Sequence, residues 1–234
     1  MPHPSSLIPS AVVVPAGGSG QRLGGEPKQF RMLGDAPVLV QTVRAFRRHA
    51  EVGAVVVAVP AASVEATRRL LLRFEVEALV VAGGETRSRS VERGLAALPD
   101  GVEVVLVHDA VRPFVSGDLV SRVVAGVRAH GAAAAATPVS DTLRAASGDR
   151  FGATVDRTAL WAMQTPQGAR RGLFLAAYAA VQGAAEAQTD EAGLLAFAGT
   201  PVAVVEGDAR NLKVTTPSDW ALAEALWPAW AAGL

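Results

Sequence analysis

Two cationic side chains lie close to a glycine-rich segment near the start of the chain, in a pattern suited to binding a triphosphate. The segment follows the apolar run 12–14 and consists of Pro15, Ala16, Gly17, Gly18, Ser19 and Gly20. Glycine adopts positive φ readily, so these glycines can turn their backbone N–H groups toward one anion. Arg22 and Lys28 add full positive charge beside the amides, where charge on a reacting phosphate would be neutralised.

Two better-known phosphate-binding loops do not fit this segment. A P-loop requires Ser or Thr directly after its lysine, whereas Lys28 follows Pro27 and precedes Gln29. A dinucleotide-binding loop requires a third glycine where this chain has Leu23, and an acidic residue where the second predicted strand ends in Pro60. A nicotinamide-dependent oxidoreductase is therefore disfavoured. For the glycines alone, a tight turn is the structural alternative.

The composition indicates a globular protein with local rather than general electrostatic attraction. The chain has 234 residues, of which 50% are hydrophobic, and its 22 basic residues balance its 22 acidic ones. Zero net charge gives no general attraction to nucleic acid or to an anionic membrane. The absence of cysteine excludes disulfides and thiolate nucleophiles. No signal or membrane segment is recognised at the start of the chain, so we expect a cytoplasmic protein.

Strands and helices alternate along most of the chain. Strands are predicted at 12–14, 54–59, 78–81, 104–107, 132–137 and 202–205, and helices at 39–46, 63–74, 87–98, after a Ser116 cap, at 170–182, after a Thr189 cap, and from Pro217. This order indicates one α/β domain, residues 1–234, with a mostly parallel twisted sheet flanked by helices. The polar segment 140–156 breaks the alternation, which predicts a protruding β-arm.

Polar and glycine residues recur directly after the predicted strands. Gly83 and Gly84 follow one strand, His108 and Asp109 follow the next, and Lys213 lies beyond the last. Each has a plain structural explanation, such as a turn, a buried histidine or a surface lysine. Because ligands of open α/β sheets bind at the carboxyl ends of the strands, their common placement favours one binding rim.

Taken together, the motifs resemble those of the 2-C-methyl-D-erythritol 4-phosphate cytidylyltransferase family over nearly the whole chain. They are the glycine-rich segment with Arg22; Pro27-Lys28-Gln29; Gly83-Gly84 with Arg87, Ser90 and Val91; His108-Asp109-Ala110 with Arg112-Pro113; Asp141-Thr142; residues 154–157; Leu160-Trp161; Thr165-Pro166-Gln167; residues 189–192; and residues 211–215. The resemblance implies a Rossmann-like nucleotidyltransferase that transfers a cytidylyl group from CTP to this polyol phosphate in isoprenoid precursor biosynthesis.

The resemblance also implies a role for each matching position. The implied catalytic residues are Arg22 and Lys28, which stabilise the transition state, and Arg157 and Lys213, which hold the acceptor phosphate. The implied CTP-binding residues are Pro15, Ala16, Gly17, Gly18, Gly20, Gly84, Glu85 and Ser90. The implied acceptor-binding residues are Asp109, Arg112, Thr142, Arg157, Thr189 and Lys213. Gly17 and Glu85 depart from the alanine and aspartate that are common in the family.

A divalent cation and a second subunit complete the expected enzyme. No cluster of metal-ligating residues is evident in the sequence, so we expect Mg²⁺ or another divalent cation to be held mainly by the CTP phosphates, with Asp109 a possible ligand. The resemblance implies a homodimer in which an arm at about 139–158 carries Thr142 and Arg157 into the neighbouring subunit. A cytidylyltransferase for another polyol phosphate, such as ribitol 5-phosphate, and a non-catalytic nucleotide sensor remain alternatives.

Overall fold

A computed structural model describes residues 10–18, 28–181 and 188–233. The strands in these ranges are β1 Ser10–Pro15, β2 Met32–Leu33, β3 Ala36–Pro37, β4 Val52–Val59, β5 Leu79–Ala82, β6 Val104–Val107, β7 Ala132–Pro138, β8 Leu143–Ser147, β9 Arg150–Val155, β10 Trp161–Arg170 and β11 Ala203–Glu206. The helices are α1 Val38–Arg47, α2 Val64–Arg73, α3 Arg87–Ala96, α4 Gly117–His130, α5 Arg171–Val181, α6 Glu191–Phe197 and α7 Pro217–Ala231. The predicted alternation of strands and helices is confirmed, with most boundaries shifted by one or two residues.

Seven strands form the central sheet, in the order β11-β7-β10-β6-β1-β4-β5. β1 pairs in parallel with both β4 and β6, and the outer pairs β4 with β5 and β7 with β11 are also parallel. β10 alone is antiparallel, to β6 on one side and β7 on the other. The prediction of a mostly parallel sheet flanked by helices is therefore confirmed.

The central strand β1 is apolar throughout because both of its faces are covered by helices. Val12 and Val14 pack in one hydrophobic cluster with residues of α1 and α4, such as Leu39 and Leu119. Val13 belongs to the cluster on the opposite face, which α3 and α5 cover. A continuous apolar run is typical of a parallel strand buried on both faces. None of the helices in the described ranges combines the length and apolar character needed to cross a bilayer.

Strand β10 was not predicted from the sequence. Its middle reads Gln164-Thr165-Pro166-Gln167, and a proline among polar residues argues against a central strand. The structure accommodates this stretch because the pairing with β7 is interrupted between Met163 and Gln167. The interruption leaves the polar side chains of the stretch beside the carboxyl ends of the parallel strands.

The predicted arm is a two-stranded antiparallel hairpin made of β8 and β9. Gly148 lies at its turn with φ of 58°, a left-handed conformation that glycine adopts without strain. The arm is solvent-exposed within this chain, and Phe151 at its end is 83% exposed. The prediction of a protruding β-arm is therefore confirmed.

Candidate active site

Two adjoining cavities open at the carboxyl ends of the parallel strands. The first, named here the loop cavity, has a volume of about 250 Å³ and is lined by Pro15, Ala16, Gly17, Gly18, Gln29, Gly84, Glu85, Thr86, Arg87, Ser90, Asp109, Ala110, Val111 and Lys213. The second, the rim cavity, measures about 180 Å³ and is lined by Arg87, Asp109, Arg112, Met163, Gln164, Thr165, Gln167, Thr189, Asp190 and Lys213. Arg87, Asp109 and Lys213 line both cavities, so a ligand in one lies next to a ligand in the other.

The loop cavity is built from the end of β1 and the turn that joins β5 to α3. Ser90 on α3 is buried, and its Oγ accepts a 3.1 Å hydrogen bond from the backbone N–H of Gly84. The same hydroxyl lies 2.9 Å from the carbonyl of Thr86, to which it donates. A Cβ at Gly83 would lie 2.7 Å from Ser90 Oγ, so this close approach of turn and helix requires glycine. Arg93 holds the turn from behind by donating to the Gly83 carbonyl at 2.6 Å.

The carboxylate of Asp109 is buried at the boundary between the two cavities and faces three cations. Lys213 Nζ lies 2.9 Å from one carboxylate oxygen, and Arg112 Nε lies 3.4 Å from the same oxygen. Arg87 Nη2 is 3.4 Å from the other oxygen. Burial acts to raise the pKa of Asp109, but the charges of Arg87, Lys213 and Arg112 outweigh it and hold the pKa well below its usual range. Asp109 is therefore an anion that gathers three cations, the nearby Arg112 and the sequence-distant Arg87 and Lys213.

Arg87 is held by a second carboxylate, that of Glu191. The guanidinium donates to both Glu191 oxygens, at 2.7 and 2.9 Å, in a bidentate ion pair. Glu191 is 2% exposed, and burial raises the pKa of its carboxyl, an effect that the positive charge of Arg87 opposes. Burial would likewise lower the pKa of Arg87, but Glu191 and Asp109 raise it. The pair joins the first residues of α3 and α6 and fixes the wall that the two cavities share.

His108 supports the site from behind and does not line either cavity. Its side chain is fully buried, with Nδ1 3.0 Å from Thr165 Oγ1 and Nε2 3.0 Å from the Arg112 carbonyl. Thr165 Oγ1 also accepts a hydrogen bond from the backbone N–H of Asp109. Burial lowers the pKa of His108 to about 4, so the ring is neutral near neutral pH. His108 is therefore a buried, hydrogen-bonded histidine, which is the structural explanation that the sequence analysis offered for it.

The helix cap at Thr189 was predicted wrongly. Asp190 caps α6, because its Oδ1 accepts the Gly193 backbone N–H at 2.9 Å and the helix begins at Glu191. A carboxylate at the N-cap also interacts favourably with the helix dipole. Thr189 is instead exposed and lines the rim cavity, where the resemblance places an acceptor-binding residue.

The structure brings most of the predicted site residues together. The predicted CTP-binding positions 15–18, 84, 85 and 90 line the loop cavity, and the acceptor positions 109, 112, 189 and 213 line the rim cavity. Lys28 begins a short 3₁₀ helix whose next residue, Gln29, lines the loop cavity. Gly20 and Arg22 lie outside the described residues. The roles of all these residues remain predictions.

Besides Lys28, the described site residues that line neither cavity are Thr142 and Arg157. Both are exposed and lie at the base of the arm, before β8 and after β9. In the single chain they line neither the loop cavity nor the rim cavity.

Sequence reasoning assigned no role to three buried or half-buried groups at the site. Arg87 was noted among the residues that follow a strand end but received no role, and Glu191 was interpreted as a helix residue because an acidic residue in the first turn of a helix needs no further explanation. Their pairing spans 104 positions in sequence and so leaves no local pattern. Gln29 appeared only as part of the Pro27-Lys28-Gln29 motif. Its position next to Lys28 was the one feature of the sequence that pointed to a role for Gln29 at the site.

Among the described residues, no group of three or more His, Cys, Asp or Glu side chains is arranged to hold a metal ion. Asp109, the possible ligand named from the sequence, already faces the three cations described above. A divalent cation bound to Asp109 would compete with these side chains for the carboxylate oxygens. The Mg²⁺ and its ligands remain a prediction.

Comparison with known proteins agrees with the geometry. The family model described as 2-C-methyl-D-erythritol 4-phosphate cytidylyltransferase matches residues 10–228. A protein of that name from Salinibacter ruber is 50% identical over 222 residues, covering 94% of this chain and 93% of the relative. Another from Deinococcus radiodurans is 47% identical, covering 96% of this chain and 92% of the relative. A crystal structure under the same name from Thermus thermophilus aligns with a TM-score of 0.79 at 37% identity, covering 94% of this chain and 99% of that one.

The buried His108 ring predicts that stability falls in mild acid. Its pKa of about 4 in the folded protein lies below the ordinary value of 6.5, so the unfolded chain binds a proton first as the pH drops. The contribution of the neutral His108 ring to the stability of the folded protein is fully present above pH 6.5 and is lost as the pH falls toward 4. Between about pH 7 and about pH 5, His108 should account for a loss of about 2 kcal/mol in the free energy of unfolding.

Urea unfolding of the wild type and of His108→Gln at the two pH values measures this contribution. The variant should be less stable at pH 7 but lose less stability on acidification. His130→Gln, at the exposed end of α4, serves as the matched control and should keep the wild-type pH dependence. Equal losses in wild type and His108→Gln would contradict the prediction.

Proposed function

The chain belongs to the 2-C-methyl-D-erythritol 4-phosphate cytidylyltransferase family, and we propose that it transfers a cytidylyl group from CTP to 2-C-methyl-D-erythritol 4-phosphate. The products are 4-diphosphocytidyl-2-C-methyl-D-erythritol and pyrophosphate, and the reaction serves isoprenoid precursor biosynthesis. The observation that carries the proposal is the pair of adjoining cavities with a common wall of Arg87, Asp109 and Lys213. CTP occupies the loop cavity and the acceptor phosphate enters the rim cavity.

The reaction needs placement and charge stabilisation more than proton transfer. The phosphate monoester of the acceptor is already anionic near neutral pH, so its oxygen attacks without a strong general base. A new bond forms between this oxygen and the α-phosphorus of CTP, while the bond from that phosphorus to the β-phosphate bridging oxygen breaks. The electron pair leaves with pyrophosphate. The protein has to hold two mutually repelling anions in line and offset the charge at the α-phosphate.

The side chains of the two cavities suit these tasks. Lys213 and Arg112 line the rim cavity, where they offset the negative charge of the acceptor phosphate. Asp109 holds both side chains in place through ion pairs. Lys28 and Arg22 act at the α-phosphate, beside the amides of the glycine-rich segment. In this proposal the side chains of Lys213 and Arg112 serve the acceptor phosphate, and those of Lys28 and Arg22 serve the α-phosphate.

Mg²⁺ is part of the proposal as a companion of the nucleotide. A divalent cation bound to the triphosphate would neutralise charge on the leaving pyrophosphate. Because the described side chains offer no metal cluster of their own, we assign the cation chiefly to the CTP phosphates. A cytoplasmic location remains a prediction from the sequence.

We further propose a homodimer joined through the arm. The arm and the start of β10 expose several large apolar side chains, and such a patch is typical of a protein interface. Those side chains are Phe151, Val155, Leu160, Trp161 and Met163, with exposures of 83%, 41%, 37%, 41% and 43%. In the dimer, Thr142 and Arg157 serve the site of the neighbouring subunit, where Arg157 grips the acceptor phosphate.

The activity is tested by incubating the purified protein with CTP, Mg²⁺ and either 2-C-methyl-D-erythritol 4-phosphate or ribitol 5-phosphate, and measuring pyrophosphate release. We expect release with the first acceptor. Lys28→Met should lower kcat about 10²-fold, equivalent to about 3 kcal/mol, because the lost charge acts mainly in the transition state. Arg48→Met, at the exposed end of α1, is the control and should leave kcat unchanged.

Each outcome of this assay is informative. If the enzyme prefers ribitol 5-phosphate, the proposed acceptor is wrong but the proposed cytidylyl transfer stands. Absence of pyrophosphate release with both acceptors, from protein that binds CTP, would instead favour a nucleotide sensor. A normal kcat in Lys28→Met would remove that residue from the mechanism.

The dimer proposal predicts that two inactive variants restore each other. Arg157→Ala and Lys28→Met are mixed in equal amounts and allowed to exchange subunits. Half of the dimers are then heterodimers, each with one intact site and one doubly altered site, so about a quarter of wild-type activity should return. Each variant incubated alone is the control. Mass spectrometry first confirms that the subunits have exchanged. If activity then does not recover, the shared site is contradicted.

A further inference from the structure

Gln29 is a buried polar residue that binds the glycine-rich segment from within the protein. Its side chain is 3% exposed, and its Nε2 donates to the carbonyl of Ala16 at 2.9 Å and to the carbonyl of Gly18 at 3.2 Å. Both carbonyls belong to the segment that lines the loop cavity, and Gln29 lines the same cavity. One amide group therefore binds two carbonyls of the segment backbone that lie two residues apart.

These hydrogen bonds fix the direction of the backbone amides. In a trans peptide the C=O and the following N–H point in opposite directions, so binding the Ala16 carbonyl aims the N–H of Gly17 away from Gln29. The other side of Ala16 is fixed as well, because its N–H donates to the Ala58 carbonyl of β4 at 2.7 Å. Gly17 itself is not held by packing, because a Cβ added there would have no heavy atom within 4 Å. The orientation of its amide thus depends on Gln29.

Gln29 also ties this segment to Lys28. The two residues are neighbours in the 3₁₀ helix Lys28–Phe30, so their backbones move together. A hydrogen bond from Gln29 to the segment therefore sets the distance between Lys28 and the amides that face the triphosphate. Loss of the Gln29 donor would remove this connection between Lys28 and the glycine-rich segment.

We propose that Gln29 is a positioning residue that presets the glycine-rich segment and Lys28 for the triphosphate of CTP. The inference rests on the proposed function, since it assigns the loop cavity to CTP. Gln29 acts through the backbone amides and through Lys28. Its removal should therefore weaken CTP binding and slow the transfer, while the affinity for the acceptor stays nearly unchanged.

Gln41 provides a matched control within the same chain. It is also buried, at 6% exposure, and its Nε2 likewise donates twice near a turn, to the Leu33 carbonyl at 2.9 Å and to Asp35 Oδ1 at 2.8 Å. Gln41 lines neither the loop cavity nor the rim cavity. A variant at this position reports the general effect of deleting a buried glutamine amide.

The test compares Gln29→Met with Gln41→Met, which keep the side-chain length and remove the amide. The dissociation constant of CTP is measured by calorimetry without acceptor, and kcat and the acceptor KM are measured by pyrophosphate release. For Gln29→Met we expect the CTP dissociation constant to rise about tenfold and kcat to fall about tenfold, with the acceptor KM within about twofold of wild type. Gln41→Met should lower the melting temperature similarly and leave all three constants unchanged.

If Gln29→Met does not fold, Gln29→Glu takes its place, because a carboxylate keeps the shape but repels the two carbonyls. Its CTP affinity should recover as the pH is lowered, since a protonated carboxyl can donate one hydrogen bond. Wild-type CTP affinity and kcat in a folded Gln29 variant, or equal effects of the two methionine variants, would overturn the proposal. A wild type that binds CTP without transferring it would contradict the proposed function but leave the effect of Gln29 on CTP binding measurable.

Discussion

The attraction between one buried carboxylate and three cations organises the candidate site. Asp109 lies at the boundary of the two cavities, and it faces Arg112 of its own turn together with Arg87 and Lys213 from other parts of the chain. Without the carboxylate, these cations would repel one another at close range. With it, they stay fixed and still carry an excess of positive charge, which is what a site for two phosphorylated ligands needs. If the two cavities take the two substrates as proposed, the position of Asp109 determines where these substrates meet.

The fold fixes that position through the sheet. Asp109 is the second residue after β6, and its backbone N–H donates to Thr165 in the interrupted part of β10. The neighbouring His108 binds the same threonine and the Arg112 carbonyl, so the turn is held from its buried side. The antiparallel strand β10 therefore contributes directly to the site. It brings hydrogen-bonding side chains to the strand ends, where parallel strands alone would contribute only the residues that follow them.

The sequence predicts the layered architecture well because apolar runs and helical periodicity are local signals. β6 was placed at its observed bounds and the arm was recognised from its polarity and glycines. β10 was missed because Pro166 and its polar neighbours obscure the pattern of a central strand. The pair of Arg87 with Glu191 was missed for another reason. Tertiary folding alone brings the two residues together, and each has a sufficient local explanation. Thr189 was given the capping role of Asp190, because both residue types are good caps.

We expect Asp109 to act by holding the cations in place, and not merely by its own charge. The most direct test is Asp109→Asn, which keeps the shape and removes the charge, with folding checked by circular dichroism. If position governs, the acceptor KM rises at least about tenfold and kcat falls, while the CTP dissociation constant measured without acceptor changes by less than about threefold. If net charge alone governs, the added positive charge tightens acceptor binding at an unchanged kcat. That second result would contradict the account.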